Sequence, residues 1–304
     1  MHKKVCGPSP LPMASRLIRV LLWTLASFAC APPCVSGQSL YATASAGGSN
    51  YQGELKDGAV NLNGSRLALG AGLILAPNDR FHLGVEFVHA MLGGSDRYNR
   101  FYFSRRRNLH FDTRISEWSL TGRLNLKTGN ELMAIPYLTA GLALFKVDPF
   151  TTDPSGHRAY LFPLSTEGQG LSGTDVPPHR RTNLSIPIGG GLELRLTRQL
   201  RLDIELAMRK TFTDYIDDVG NSYPDGAALM SQRGQTAVEL SYRGDELPGG
   251  EPMFPPEGTL RGNPKSKDWY YFMQLRFRYP IFSRTYRYDR INHLFKGPDW
   301  PYRN

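Results

Sequence analysis

The chain has 304 residues, is 40% apolar and 21% charged, and carries a formal charge of +9. Its mean hydropathy of −0.36 and the lack of any apolar run of about 20 residues exclude a bundle of membrane-spanning helices. With only three cysteines, it is not a disulfide-built scaffold.

The first element in chain order is a leader. Val20 to Ala31 is apolar, Arg16 and Arg19 precede it, Pro32 and Pro33 follow it, and Val35-Ser36-Gly37 stands before Gln38. A basic stretch, a short apolar core and small residues at the cut make residues 1–37 an expected secretory signal peptide, with Met13 an alternative start. Cys6, Cys30 and Cys34 all fall inside it. Lipidation at Cys30 is disfavoured, because Ser27 stands where a large aliphatic residue is wanted. The leader also holds Lys3, Lys4, Arg16 and Arg19 and no acid, which leaves 32 basic against 27 acidic residues, a net of +5. That charge is too diffuse to predict a nucleic-acid partner.

Beyond Gln38 no useful length of sequence has helical periodicity, and eight stretches read as strands: Leu40–Ser49, Ser65–Leu75, Phe81–Ala90, Asp112–Leu126, Ile135–Lys146, Asn183–Leu196, Leu200–Phe212 and Asp268–Phe282. The seventh is the clearest. Leu200, Leu202, Ile204, Leu206 and Met208 alternate with Arg201, Asp203, Glu205 and Arg209, a period of two with one oily and one ionic face. Each stretch is long enough to cross a bilayer when tilted, which takes roughly 9–11 residues.

The connections alternate in length. Ala76–Arg80, Lys127–Ala134 and Thr197–Gln199 are short; Asn50–Gly64, Met91–Phe111, Val147–Thr182 and Thr213–Lys267 are long. Short turns at one end and long loops at the other predict an all-β fold, an eight-stranded antiparallel up-and-down transmembrane barrel with periplasmic turns and extracellular loops. Its domain is residues 38–282, exported to the outer membrane and facing outer-membrane lipid.

Inward charges then share a narrow lumen: Glu86, Glu117, Glu193, Asp203 and Glu205 with Arg66, Arg123, Arg195, Arg209, Arg276 and Arg278. Eight strands enclose an interior that side chains fill, so these residues predict a structural ion-pair plug rather than a conduction path. Gly70, Gly72, Gly189 and Gly191 make room for them. Trp269 and Tyr271 at one end of the last strand, and Tyr279 at the other, fit interfacial aromatic girdles.

No sequence motif predicts catalysis, a metal or a cofactor. Gly168-Gln169-Gly170-Leu171-Ser172-Gly173 matches a dinucleotide fingerprint in letters alone, since Pro177 and Pro178 follow where a helix is needed. His89 and His110 flank a loop holding Ser95 and Asp96, but no spacing enforces a triad. Asp214, Asp217, Asp218 and Asp225 lack the spacing of a calcium loop and read as a solvated acidic loop. Ser241–Pro264, rich in Pro and Gly, reads as a flexible surface loop. A passive pore and a lipid-modifying barrel enzyme are the alternative functions.

Six segments resemble one family in order along the chain: SNYQGEL at Ser49–Leu55, RNLHFDTRISEWSL at Arg107–Leu120, LSTEGQG at Leu164–Gly170, SIPIGGGLEL at Ser185–Leu194, RKTFTDYIDDVGNSYPD at Arg209–Asp225 and RGNPKSKDWYYF at Arg261–Phe272. They resemble the PorG-like outer-membrane proteins of the type IX secretion system of Bacteroidota. In the loops the matching positions include Gly168, Gln169, Gly170, Asp214, Tyr215, Asp217, Asp218, Tyr223, Pro224, Asp225, Arg261, Gly262, Asn263 and Pro264. The resemblance implies a non-catalytic barrel that associates with the periplasmic ring of the PorK lipoprotein and PorN, and possible contact with other translocon subunits. The chain departs from that pattern in its basic Arg100–Arg107 stretch and in Ser283–Asn304.

That last stretch, an expected periplasmic tail, mixes aromatics and arginines of the kind enriched at interfaces. Tyr286, Arg287, Tyr288, Arg290 and Trp300 are its candidate ring contacts, with Asn78, Asp79 and Arg198 of the short turns.

Overall fold

The computed structural model describes residues 38–56, 64–128, 133–197 and 199–282. The expected signal peptide, Arg198 and the expected tail with Tyr286, Arg287, Tyr288, Arg290 and Trp300 lie outside the described residues. No described helix is long and apolar enough to cross a membrane.

All eight expected strands form: β1 (Ser39–Gln52), β2 (Arg66–Ala76), β3 (Phe81–Ser95), β4 (His110–Asn125), β5 (Ala134–Thr152), then, after a short β6 (Arg158–Tyr160) in a long loop, β7 (Thr182–Arg195), β8 (Arg201–Thr211) and β9 (Trp269–Phe282). Each pairs antiparallel with its neighbour, β4 with β5, β5 with β7, and β9 back onto β1. The sheet is therefore a closed eight-stranded barrel without a free barrel edge, and β6 is an appendage on β5.

The strand alternation sets the two faces. Leu206 (52% exposed) and Met273 point out, while Asp203 and Glu193 point in with no exposure at all. Leu67, Leu69, Trp118, Leu120, Leu138, Leu142, Leu144 and Ile188 extend this exposed apolar wall around the barrel. Along β5 the outward positions from Ala134 to Leu144 are uncharged. At about 3.3 Å per residue and a tilt near 40°, that makes a band of roughly 25 Å, the thickness of a bilayer's hydrocarbon region for barrels.

The interior has two tiers, which the expected ion-pair plug does not anticipate. The short-turn half is ionic. The long-loop half is an apolar core in which Val88, Leu92, Phe111, Ile115, Phe145, Val147 and Phe272 meet Leu55, Leu109, Leu161, Ile216, Val219 and Leu240 from the loops. The strand ends are apolar on their inner face because the loops fold back over them. This also explains why β3 and β5 run on to Ser95 and Thr152, beyond the expected Ala90 and Lys146.

Over this core the long loops build a roof. It contains three short helices absent from the sequence reading: α1 (Tyr102–Arg107), α2 (Gly226–Arg233) and α3 (Gln235–Ser241). Asp225 caps α2, its carboxylate accepting the Ala227 and Ala228 N–H groups at 3.2 Å. At 6–8 residues these helices are too short to leave a periodic signal.

Candidate functional site

Two connected regions hold the polar chemistry, the ionic floor and the roof. In the floor, Glu193 is held by Arg123 (2.5 Å), Arg201 (3.0 Å) and Arg278, and Asp203 by Arg123 and Arg278 (3.1 Å each). Arg276 bridges Glu86 (2.7 Å) and Glu205 (2.9 Å). Above them Arg209 pairs with Glu117 (3.2 Å), which also accepts the Tyr270 hydroxyl at 2.5 Å. Tyr137 donates to Glu205 (3.0 Å) and lies under the Arg123 guanidinium. Gly191 leaves the space for that phenol: a Cβ there would stand 2.6 Å from the Tyr137 hydroxyl oxygen.

Five buried carboxylates thus face four buried guanidinium groups and the part-buried Arg201, so the charges nearly cancel. Their side chains meet across the lumen, as Arg276 does with Glu86 and Arg123 with Glu193. Two expected members stand apart. Arg66 lies at the long-loop rim, 48% exposed, on the outward Asp112 at 2.9 Å. Arg195 sits at the short-turn mouth, 3.8 Å from Glu193. Both are at strand ends, where an inward position no longer means the middle of the lumen.

The roof gathers loop residues that sequence separates. Glu167 accepts from Arg261 (3.1 Å) and from the Gly220 N–H (3.0 Å). Arg261 also donates to the carbonyls of Ser241 (2.9 Å) and Asp218 (2.5 Å). Asp218 accepts from Thr166 and lies 3.1 Å from His179. Gln169 accepts the Glu167 N–H, and Tyr223 packs edge-on to Tyr242 and Phe254. Gly262 lets the chain pass against Gly220, where a Cβ would lie 2.7 Å from the backbone nitrogen. Arg107 grips Asp96 through two bonds of 2.8 Å and donates to the Arg261 carbonyl.

Asp214, Asp217 and Asp218 are therefore buried, not the solvated loop that their spacing suggests. Tyr215 and Gly262 are partly buried and Pro224 is buried, whereas Asn263 and Pro264 are exposed. Gly168 and Gly170 take positive φ of 79° and 66° in a tight loop, with neither the strand nor the helix of a dinucleotide site. The Ser241–Pro264 stretch also joins the roof: Arg243 donates to the Thr152 carbonyl at 2.8 Å and pairs with Glu246.

Glu54, Asp214 and Asp268 are the one trio among the described residues whose oxygens lie within 4.8 Å of one another, the spacing a metal ion needs. Lys267 already reaches Asp214 at 3.3 Å. The Tyr51 hydroxyl sits 2.5 Å from Asp217 and 3.0 Å from Asp268. With a single proton it can serve only one of them at a time, so a proton retained by a carboxyl completes the contact. Burial first, then the nearby Asp214, pushes Glu54 up to about 7. Burial pushes Asp214 up to about 6 against the pull of Lys267. Asp217 and Asp268 are raised well above the usual carboxylate range, mainly by burial and then by neighbouring acids. Glu54, Glu167 and Asp268 carry no signal in sequence beyond their places in the resembling segments.

The candidates Ser95, Asp96, His89 and His110 are not joined to one another in a triad. Ser95 and His110 are cross-strand partners, but the Ser95 hydroxyl accepts the Arg97 N–H and His110 faces the Arg243 guanidinium at 3.5 Å. Asp96 is taken by Arg107. His89 lies on the outer wall, 3.0 Å from Ser116. At the other end the Asn78 carboxamide accepts the N–H groups of Arg80 and Phe81, and Asp79 is exposed.

These features define a class: a closed eight-stranded barrel with an oily exterior, an ionic floor and a folded roof. The chain is similar in structure to the crystal structure of Neisserial surface protein A, at 11% identity and a TM-score of 0.41, over 81% of this chain and 99% of that one. It is also similar to Ail of Yersinia pestis (8% identity, TM-score 0.37, 81% and 99%) and to the N-terminal barrel of Pseudomonas aeruginosa OprF (11%, 0.35, 80% and 99%). No protein-family model matches the chain, and no curated protein does.

Proposed function

We propose that this protein is a non-catalytic component of the outer membrane that works through contacts, as an accessory of type IX protein secretion associated with the PorK and PorN ring. The observation that carries the contact reading is the stacked interior. An ionic floor, an apolar core and a roof lie in series, which supports a role through binding surfaces over one as a pore. The exposed belt of about bilayer height supports residence in the membrane. The secretion assignment rests on the resembling segments. Three of them, Leu164–Gly170, Arg209–Asp225 and Arg261–Phe272, supply Glu167, Gln169, Asp214, Asp217, Asp218, Tyr223 and Arg261, which meet in one roof.

Asn78 and Asp79, in a short turn, are accessible for a periplasmic partner, and the side chain of Asn78 is partly committed to its own turn. The test is cross-linking and pull-down of the tagged full chain from outer membranes. PorK and PorN should be recovered with it. Recovery of the barrel without either protein would remove the secretion assignment and leave the barrel reading in place.

A further inference from the structure

The lipid-facing wall is asymmetric in charge. At the short-turn end the outward positions are Leu40, Leu75, Phe81, Leu124, Leu202 and Ile281, and no outward strand position in that half is charged. Every charged outward position of the eight barrel strands lies toward the long-loop end: Asp112, Arg114, Lys146, Asp148 and Lys210. Lys146 is the next outward position after the exposed Leu144, whose cross-strand partner is the exposed Trp118, so it sits on the upper edge of the apolar belt.

The register brings three cations together there. Arg114 is the cross-strand partner of Asp148, and Lys146 pairs with Ser116 on one side and Thr182 on the other. Arg114 and Lys146 are thus diagonal neighbours on one face, roughly 7–8 Å apart. Arg181, next to Thr182, reaches Asp148 at 3.7 Å and is 49% exposed in its side chain. The two nearby acids are already engaged, Asp148 by Arg181 and Asp112 by Arg66. Arg114 and Lys146, both exposed, form no ion pair among the described residues.

A cation on a boundary between oil and headgroups is favourable when it meets an anion at that depth. Short turns in the periplasm place this edge in the outer leaflet. We propose that Arg114, Lys146 and Arg181 form a phosphate clamp on the outside of the barrel, for a phosphorylated glycolipid of the outer leaflet. The acyl chains lie along Leu144, Leu184 and Trp118, and the phosphate is shared by the arginine forks and the lysine. This rests on the outer-membrane reading but not on the secretion assignment.

The experiment reconstitutes the full chain in phosphatidylcholine bilayers doped with lipid A, with the same glycolipid stripped of phosphate, or with phosphatidylglycerol. Native mass spectrometry then counts retained lipid. Retention of lipid A should exceed that of the other two by about tenfold or more. Arg114→Gln with Lys146→Gln should abolish the preference, whereas Lys127→Gln at the opposite end should keep it. Equal retention of the phosphorylated and stripped glycolipids would overturn the clamp, as would equal retention of phosphatidylglycerol or indifference to the double variant. Heat-modifiable gel mobility reports the barrel in every sample. Failure of the membrane reading therefore shows separately, as loss of insertion in all three lipids. If the double variant does not fold, the three-lipid comparison on the native chain decides alone.

Discussion

Glu167 and Arg261 are 94 residues apart in sequence and 3.1 Å apart in the roof. Both are buried to within 2%, and through Ser241 and Asp218 the same guanidinium holds two further parts of the longest loop. Breaking a buried pair from one side strands the other charge, at about 3–5 kcal/mol. Arg261→Ala should therefore open the roof while the barrel persists. Limited proteolysis of the folded protein should cut within residues 153–181 and 212–268 at least about 100-fold faster, with heat-modifiable mobility unchanged. Unaltered cleavage would show that the roof does not depend on this pair.

The floor makes a separate prediction. Glu193 receives three guanidinium groups, Arg123, Arg201 and Arg278, so Glu193→Ala leaves positive charge packed against itself. Urea unfolding in vesicles should lose about 3–5 kcal/mol. A double-mutant cycle with Arg278→Ala should give a coupling of about 0.5–3 kcal/mol. Strict additivity would contradict the contact.

Protonation should govern the roof between pH 4.5 and 7. Glu54 moves from 4.5 to about 7 on folding and Asp214 from 3.8 to about 6. A raised carboxyl favours the folded state while it holds its proton. The contribution is full below the unfolded value, falls as pH rises and is gone above the folded one. At 1.36 kcal/mol per unit, the shift at Glu54 is worth something on the order of 3 kcal/mol, shared with the neighbouring acids that titrate with it. Amide exchange in residues 212–220 should be slower at pH 5 than at pH 8 after correction for intrinsic rates, and Glu54→Gln should flatten the difference. A roof equally protected at both values would mean that these carboxyls are not buried together.

The barrel and the roof differ in how much of them a sequence displays. Residues such as Leu206 and Glu205 announce their faces because a strand's environment repeats every two positions, and the loop lengths add the two ends. Val88, Ile115 and Val147 are inward and apolar, which reads only as a blurred alternation until the loops that cover them are known. The roof depends on pairings such as Arg107 with the Arg261 carbonyl, between residues with no local period to link them. The acids at Asp214, Asp217 and Asp218 look solvated for the same reason: their partners Lys267, Tyr51 and Thr166 lie elsewhere in the chain.

The outward wall offers the sharpest test of the membrane. Leu138 is 53% exposed and pairs with Gly190 on the neighbouring strand, near the middle of the belt. On a protein surrounded by water, an exposed leucine can become arginine with a change of about 0.5 kcal/mol or less. At the midplane of a bilayer the same change in a barrel costs about 2–4 kcal/mol, falling to about 0–1 near the interface. Leu126, exposed at the short-turn edge, provides the shallow position. Folding into vesicles should therefore be weakened strongly by Leu138→Arg and little by Leu126→Arg. The gradient with depth carries the meaning, since general disruption of the strand would not know where the bilayer is centred. Two equally small effects would put the wall in water, and the oily face of the barrel would then need a protein partner rather than lipid.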